Sequence, residues 1–285
     1  MTLLRHNFEK IFLKLRKISN FLLTRNSMRA KIATVNIQVR INIKGYILKE
    51  REIMAHIDKG PLTRLEIVSE ASTQFLEKGY TNTTVSSIAK ALKMSSGNLT
   101  FHYPTKEHLL AELVDMLCDF HWKQMEREAN EGISSILAIC LELTAMAGAC
   151  EDDEVIKDFL ISSYTSPMCL AVIRKNDQQR AEQVFGSYRP DWSEEQYAEA
   201  ELLVSGIEYG TLMTAGTTVP LEVRVRGAIY NILGIYGVPG DLRNIKIQKV
   251  FAMDYRNIGK QAIADFKKYV TKTNENALRD LLKIK

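Results

Sequence analysis

The 285-residue sequence predicts an all-α protein in which a three-helix unit comes before a larger helical body. Three observations support this fold class. Apolar residues recur at intervals of three and four from about residue 62 onwards, which is the period of a helix packed on one face. Glycine, proline and capping residues divide these stretches into segments of ordinary helix length. Two of the segments, between residues 83 and 104, are short helices joined by a tight turn.

Residues 1–53 do not share this pattern. Residues 8–23 have the composition of a basic amphipathic helix, which could lie on an anionic membrane or bind nucleic acid. Residues 35–44 alternate with the period of a strand, although a lone strand has no partner in an all-α protein. A simpler interpretation is that Met54 is the natural start, because residues 49–52 can be encoded by purines alone, as a ribosome-binding site would be. We therefore expect a basic N-terminal extension or a mis-assigned leader here.

Residues 54–110 are predicted to form the three-helix unit. Thr63 and Glu66 fit a capping box at the start of its first helix. Gly79 is expected to end that helix, since glycine tolerates the backbone of a helix terminus. Ser95 is a suitable N-cap for the third helix, because its hydroxyl can accept an unpaired backbone N–H.

The third helix, residues 96–103, has two apolar anchors, Leu99 and Tyr103, on one face. Its other face carries mostly small polar groups: Ser96, Gly97, Asn98, Thr100, Phe101 and His102. A short helix with few anchors and an outer face of this kind fits the major groove, where side chains reach base edges. The pattern therefore favours a helix-turn-helix DNA-binding domain.

Residues 83–110 read TTVSSIAKALKMSSGNLTFHYPTKEHLL. Together with the preceding EIVSEASTQFLEKGYTNTTV, this segment closely resembles the DNA-binding domain of the TetR family of bacterial transcriptional regulators. The resemblance runs from about Leu62 to Leu113, and beyond that it is one of architecture only. It implies a cytoplasmic, homodimeric repressor that an effector releases from a palindromic operator. The family often has Tyr where this chain has Thr100, and His or Tyr where it has Phe101, so the contact usually assigned to that Tyr does not carry over.

The residues expected to contact DNA fall into two groups. The face toward the bases would be formed by Ser96, Gly97, Asn98, Thr100 and Phe101. Phosphates would be positioned by Thr84, Ser86, His102 and Lys106. Residues 57–110 hold six basic against five acidic side chains, so binding would depend on a few placed donors and helix N-termini more than on net charge.

A larger domain, residues 111–240, is predicted to carry ligand binding and dimerisation. Residues 111–242 hold 9 basic against 22 acidic side chains, a balance that repels DNA and suits a body held away from the duplex. Residues 241–285 are basic, and we expect them to form a helical extension that packs back on the acidic body rather than a DNA-binding arm.

Dimerisation is predicted to involve the helices near residues 197–215 and 220–236, because the resemblance implies a four-helix bundle between two subunits. Gly206 and Gly210, one turn apart, also suggest a close helix approach, since glycine inside a helix is otherwise costly. The fourth helix, residues 106–129, would connect the DNA-binding unit to the body, so that small tilts change the spacing of the two units.

Aromatic, histidine and sulfur-containing side chains of the body are candidates to line a cavity for a small-molecule effector. They are His121, Met146, Phe159, Tyr164, Met168, Tyr209 and Met213, with Tyr230 as a further candidate. Most side chains of these types are simply core, so we expect only a few of them to touch a ligand.

No enzyme motif is present in the sequence: HExxH, GxSxG, the P-loop and GxGxxG are all missing. We therefore expect a non-enzyme without a cofactor. The four cysteines form no CxxC pair and are interpreted as buried free thiols of a cytoplasmic protein, with a redox or metal-sensing role as the alternative. His108, Glu112, Asp115 and Asp119 recur on one face of the fourth helix. They could share a metal ion, but a solvated face is the simpler interpretation.

Two other functional classes stay open. An architectural or assembly-regulating DNA-binding protein of the same fold would need no ligand; a solid core in the body would favour it, and a solvent-filled apolar cavity would count against it. The second class is a membrane-associated helical protein led by residues 1–25, or an enzyme without a known motif.

Overall fold

The computed structural model describes residues 59–131 and 135–283, and all regular secondary structure within these ranges is α-helical. The predicted fold class is thereby confirmed. In chain order the helices are α1 Lys59–Lys78, α2 Val85–Ala91, α3 Ser96–His102, α4 Lys106–Ala129, α5 Ile136–Asp152, α6 Glu154–Thr165, α7 Pro167–Phe185, α8 Glu194–Met213, α9 Leu221–Ile235, α10 Gly240–Phe251 and α11 Tyr255–Lys283. The predicted amphipathic helix, the alternating segment and Met54 lie outside the described residues.

The three-helix unit consists of α1, α2 and α3, which pack against the start of α4. Ile67, Phe75, Ile88, Leu99 and Leu110 are fully buried at the centre of this packing. Burying a side chain of this size contributes about 1.5–3 kcal/mol. Five such side chains from four helices explain how α2 and α3, each of seven residues, are held in place although isolated helices of this length are not stable.

Capping residues define most of the boundaries in this unit. Ser95 accepts a hydrogen bond from the Asn98 backbone N–H at 3.1 Å, which confirms the predicted cap of α3. Gly79, with a φ of +87°, follows the end of α1 as predicted. The predicted capping box of Thr63 and Glu66 is wrong, because α1 is already helical at Lys59 and both residues lie inside it.

The body is built around α5, which is apolar on most of its surface and contacts α4, α6, α8, α9, α10 and α11. Ser135 caps this helix, which continues to Asp152. Asp153 separates α5 from α6 and accepts from two backbone N–H groups of α6, so the second helix begins at Glu154.

The C-terminal residues form two helices. They are separated at residues 252–254, and α11 is continuous through residues 271–274. Buried Val270 and Asn274 pack this stretch on the rest of the protein, and tertiary packing overrides weak helix propensity. α11 lies against α1, α4 and α5. No helix within the described part of the chain is long and apolar enough to cross a lipid bilayer.

Candidate DNA-binding face and inner cavity

The outer face of α3 points away from the protein. Ser96, Gly97 and Asn98 are exposed, and the Phe101 ring is 82% exposed, whereas the two predicted anchors of α3 are buried. Thr100 and His102 are half-buried at the edges of this face. The helical spacing of residues 96–103 thus correctly separated the inward from the outward side chains.

Thr84 and Ser86 extend this exposed surface to the start of α2. Thr84 is the N-cap of α2, and its hydroxyl accepts from the Ser87 backbone N–H at 3.0 Å. Ser86 is exposed in the first turn. Ser87 instead turns inward and donates to Gln74 of α1 at 2.6 Å, so α2 is fixed on α1 by a polar contact as well as by its apolar face.

Lys106 has a structural role that its sequence position does not reveal. Its ammonium donates to the backbone carbonyls of Tyr80 and Thr83, both at 2.8 Å, and lies 3.9 Å from the centroid of the Tyr80 ring. Burial lowers the pKa of Lys106, while Asp158 acts in the opposite direction. Because the acceptors are carbonyls 23 and 26 residues earlier in the chain, no local spacing could have indicated this contact.

The C-terminal end of α3 is fixed by Tyr103. Its hydroxyl donates to Glu112 of α4 at 2.6 Å, and Arg64 of α1 lies 4.4 Å above its ring. Burial, together with the Glu112 carboxylate, raises the pKa of Tyr103. Glu112 is therefore held by its hydrogen bond from the end of α3. Among the described residues, no group of three side chains is placed to bind a metal ion.

A contact from the body reaches the loop between α1 and α2. Asp158 of α6 accepts from the backbone N–H and the hydroxyl of Thr81, at 2.8 and 2.5 Å. The same carboxylate lies against Gly79, where an added Cβ would be 2.6 Å from its Oδ2. We call this the Asp158 contact. The two residues of this contact are 77 positions apart in the sequence, so no local pattern predicted that they meet.

Helices α4 to α9 surround a cavity in the body, which we call the inner cavity. It contains about 750 Å³ of space between atoms, counting solvent at its mouth, and only a small part is wide enough for the centre of a water molecule. Of the side chains predicted to touch a ligand, His121, Met146 and Tyr164 line it. The others do not: Phe159 is fully buried in the core, Tyr209 is half-buried elsewhere, and Met168, Met213 and Tyr230 are exposed.

Charged side chains also form part of the wall of the inner cavity, and none of them was among the predicted ligand contacts. They are Glu142 on α5, Asp177 and Arg180 on α7, and Glu201 and Glu208 on α8. Glu201 and Glu208 are seven residues apart, a spacing that places both on one face of a helix and could have signalled them. In the sequence they were not distinguishable from the many acidic residues of the body, because only the folded chain brings α5, α7 and α8 together.

Arg180 is the centre of this charged group. Its guanidinium donates to Glu142 at 3.4 Å, to Asp177 at 3.2 Å and to the backbone carbonyl of Cys118. His121 meets the same oxygen of Glu142 through Nδ1 at 3.1 Å. Burial disfavours ionisation of Glu142, but Arg180 and His121 together hold its pKa below the usual range.

Glu201 and Glu208 of the inner cavity have no basic hydrogen-bond partner among the described residues. Tyr164 donates to Glu208 at 3.0 Å, and Tyr236 donates to Glu201. Burial raises the pKa of Glu201 to about 7, against the lowering effect of the Tyr236 hydroxyl. Burial and the neighbouring carboxylates raise the pKa of Glu208 well above its usual range, and burial does the same for Asp177 although Arg180 opposes it.

The two helices predicted to form the dimer interface, α8 and α9, carry an apolar outer surface. Its exposed large side chains are Leu202, Leu203, Met213, Val219 and Val223. Between them runs a groove that includes Gly206, Gly210 and Gly227. An added Cβ at any of the three glycines would meet no other atom within 4 Å, so the groove is open.

Comparison with known proteins addresses the first four helices. Residues 67–113 match the family described as bacterial regulatory proteins, tetR family. The match covers the buried half of α1, all of α2 and α3, and α4 as far as Leu113, and it confirms the resemblance seen in the sequence. A helix-turn-helix domain similar to that of the tetR family, followed by a helical bundle, is thus the architecture of the described residues.

Similar solved structures include a gamma-butyrolactone receptor (ArpA like protein), with 20% identity over 73% of this chain and 99% of that chain, and a TM-score of 0.33. The tetR-family protein CprB from S. coelicolor A3(2) is 19% identical over 74% of this chain and 98% of that chain, with a TM-score of 0.35. AmtR of Mycobacterium smegmatis is 16% identical over 66% and 93%, with a TM-score of 0.33. At these values the likenesses carry no weight for ligand or partner. No curated protein matches the chain in sequence.

Proposed function

We propose that the protein is a DNA-binding transcriptional regulator that acts in the cytoplasm as a homodimer, represses transcription from a palindromic operator and releases it when an effector binds. The observation that carries this proposal is the outward polar face of α3 on a tetR-family domain. Asn98, Ser96 and Gly97 are exposed there, while the anchors Leu99 and Tyr103 are buried. Side-chain amides and hydroxyls held on such a face hydrogen-bond to base edges in the major groove.

The remaining contacts would position the duplex. Thr84, Ser86 and His102 border the α3 face and can donate to phosphates, and the N-terminus of α2 offers its backbone N–H groups. Lys106 would approach a phosphate only while sharing its ammonium with two carbonyls. Phe101 replaces a residue that is often polar in the family, and its exposed ring suits contact with a thymine methyl group.

The apolar outer surface of α8 and α9 supports dimerisation. Exposed leucine, valine and methionine side chains on these helices and on the loop between them are typical of a protein-protein interface. Pairing of these helices with those of a second copy would cover this surface and present two α3 helices to successive major grooves, about 34–36 Å apart.

The inner cavity is the proposed effector site. α4 joins it to the DNA-binding domain, because Val114, Leu117 and His121 line the cavity while the N-terminal end of α4 carries Lys106. An effector that binds better to one tilt of α4 would shift the population toward a dimer whose α3 helices have the wrong spacing for DNA. The presence of a cavity in the body counts against the ligand-independent architectural alternative.

Selection of bound duplexes from a random pool tests the proposal, with the full-length chain and with a chain that starts at Met54. We expect an enriched palindrome whose half-sites are one helical turn apart, and a protein of twice the chain mass in sedimentation. Enrichment of no sequence, or a monomer bound to a single half-site, would contradict it.

A further inference from the structure

The inner cavity has more acidic than basic groups in its wall. Four carboxyl groups, on α5, α7 and α8, face a single arginine and one histidine. Arg180 is already occupied by Glu142, Asp177 and the carbonyl of Cys118. Its guanidinium also lies 5.2 Å from the centroid of the Trp122 ring. An anionic ligand would therefore meet carboxyl groups that repel it when they ionise, and a cation whose donors are in use.

Glu201 provides a second, independent indication of a ligand. Its residue is 2% exposed, and its Oε1 accepts from the Tyr236 hydroxyl. Its Oε2 is buried and has no hydrogen-bond partner in the described structure, and the residue lines the inner cavity. A buried carboxylate oxygen without a donor is costly, so a donor supplied by a ligand would be strongly favoured.

Glu208 lies two turns further along α8, on the same side of the cavity. It accepts one hydrogen bond, from Tyr164, and has no basic partner among the described residues. The opposite wall is apolar and includes Leu117, Met146 and Leu160. The cavity thus offers carboxyl groups at one side and hydrocarbon at the other.

From this arrangement we propose that the inner cavity binds a small organic cation, an amine whose N–H groups meet Glu201 and Glu208 and whose hydrocarbon part lies on the apolar wall. This inference rests on the proposed effector site and gives that effector a chemical class. Neutral ligands would leave the surplus carboxyl groups protonated, whereas a cation compensates their charge when they ionise.

Proton release accompanies this mode of binding. In the free protein, burial raises the pKa of Glu201 to about 7, so a large fraction of this group is protonated at neutral pH. The groups that face it are Glu208 on its own helix, Asp177 and Arg180 on α7, Glu142 on α5, His121 and Cys118 on α4, Tyr164 on α6 and Tyr236 at the end of α9, and Arg174 of α7 also acts on it electrostatically. A bound cation favours the ionised carboxylate, so binding releases a proton wherever the free protein still holds one. The affinity for the cation therefore rises as pH increases from about 6 to about 8.

The experiment compares three molecules with one skeleton: benzylamine, benzyl alcohol and benzoate. Binding to the full-length protein is measured by titration calorimetry without DNA, in buffers of different ionisation enthalpy. We expect benzylamine to bind at least about ten-fold more tightly than the alcohol, and benzoate to bind least. The benzylamine titration should release protons, and its affinity should be higher at the upper end of the pH range.

Two variants assign the effect to the cavity. Glu201→Gln should weaken benzylamine by about ten-fold and leave benzyl alcohol within about two-fold, and Glu208→Gln should act in the same direction. Glu195→Gln, an exposed position on the same helix, should change neither. Absence of benzylamine binding, equal or tighter binding of the alcohol or benzoate, or unchanged benzylamine affinity in both cavity variants would overturn the inference.

The outcomes separate this inference from the proposed function. Release of a selected operator by benzoate or benzyl alcohol, but not by benzylamine, would leave the regulator standing and overturn the cationic ligand. Tight, pH-dependent binding of benzylamine by a protein that selects no DNA would support the cavity assignment and contradict the regulator.

Discussion

The outer face of α3 and the inner cavity treat polar groups in opposite ways. On α3, Asn98 and Ser96 are surrounded by solvent, and no buried charge is involved. In the cavity, Glu201 and Arg180 are buried. The charge of Arg180 is compensated by the carboxylates it contacts, and Glu201 accepts a hydrogen bond from a tyrosine hydroxyl. Changing a solvated group alters the stability of the fold little, whereas changing a buried ionisable group alters it strongly, in either direction. Specificity for DNA and stability of the body should therefore respond to different mutations.

The largest effect is expected for Arg180→Ala. Removing this guanidinium leaves Glu142 and Asp177 without their compensating charge, which should lower the free energy of unfolding by about 3–5 kcal/mol in urea denaturation. Lys175→Ala, exposed on the same helix, is the matched control and should cost less than about 0.5 kcal/mol. A loss below about 1 kcal/mol for Arg180→Ala would remove the basis of the contrast between the two regions.

A pH series tests the buried carboxyl group directly. Since the pKa of Glu201 is raised from 4.5 to about 7 on folding, the folded state holds a proton that the unfolded state releases in this window. The stability that this bound proton contributes to the folded state is full below about pH 4.5 and is lost as pH rises through about 7. Glu201→Gln should therefore gain stability relative to the natural sequence across this range, by on the order of 2–3 kcal/mol in denaturation at several pH values. Parallel curves for the two proteins, with Glu195→Gln as the control, would show that the group titrates normally.

On α3, Asn98→Ala should leave the unfolding temperature unchanged while it reduces discrimination between operator and mismatched sites by about 1–3 kcal/mol. Competition binding with single-base variants of the selected operator measures this change. Asn130→Ala, at the C-terminal end of α4, is a control away from the proposed face. If Asn98→Ala keeps the full sequence preference, α3 does not recognise bases through this side chain.

Lys106→Ala should affect both the stability of the fold and DNA binding, because the side chain is half-buried and lies beside the proposed DNA-binding face. Loss of its two charge-assisted hydrogen bonds to carbonyls should destabilise the protein by about 1–2 kcal/mol, in addition to a uniform loss of DNA affinity and a smaller salt dependence. Lys90→Ala, exposed on α2, should affect only DNA binding. Unchanged thermal stability of Lys106→Ala would make the phosphate contact its only role.

Local sequence patterns predicted the DNA-binding domain well, because its information is local. The cap at Ser95, the buried Leu99 and the exposed Asn98 all follow from spacing within one short segment. The capping box at Thr63 failed because α1 was already helical upstream of it.

The cavity was predictable only in part, since its wall comes from six helices that are far apart in sequence. Residue type suggested His121, Met146 and Tyr164, but it also suggested Met168 and Met213, which are exposed. Glutamates were passed over because most glutamates are solvated, and only the packing of α5, α7 and α8 makes Glu201 an exception.

The Asp158 contact places one end of α6 on the loop before α2, while Tyr164, at the other end of the same helix, lines the inner cavity. These two residues are about 9 Å apart along a stiff helix, so a displacement at one is felt at the other. Directed evolution toward a new inducer would therefore be constrained along α6: substitutions that reshape this wall should also alter basal expression from the operator. The range of effectors that the protein binds should be easier to broaden by substitutions on α8. The side chains of this helix make no such connection to the α1–α2 loop among the described contacts.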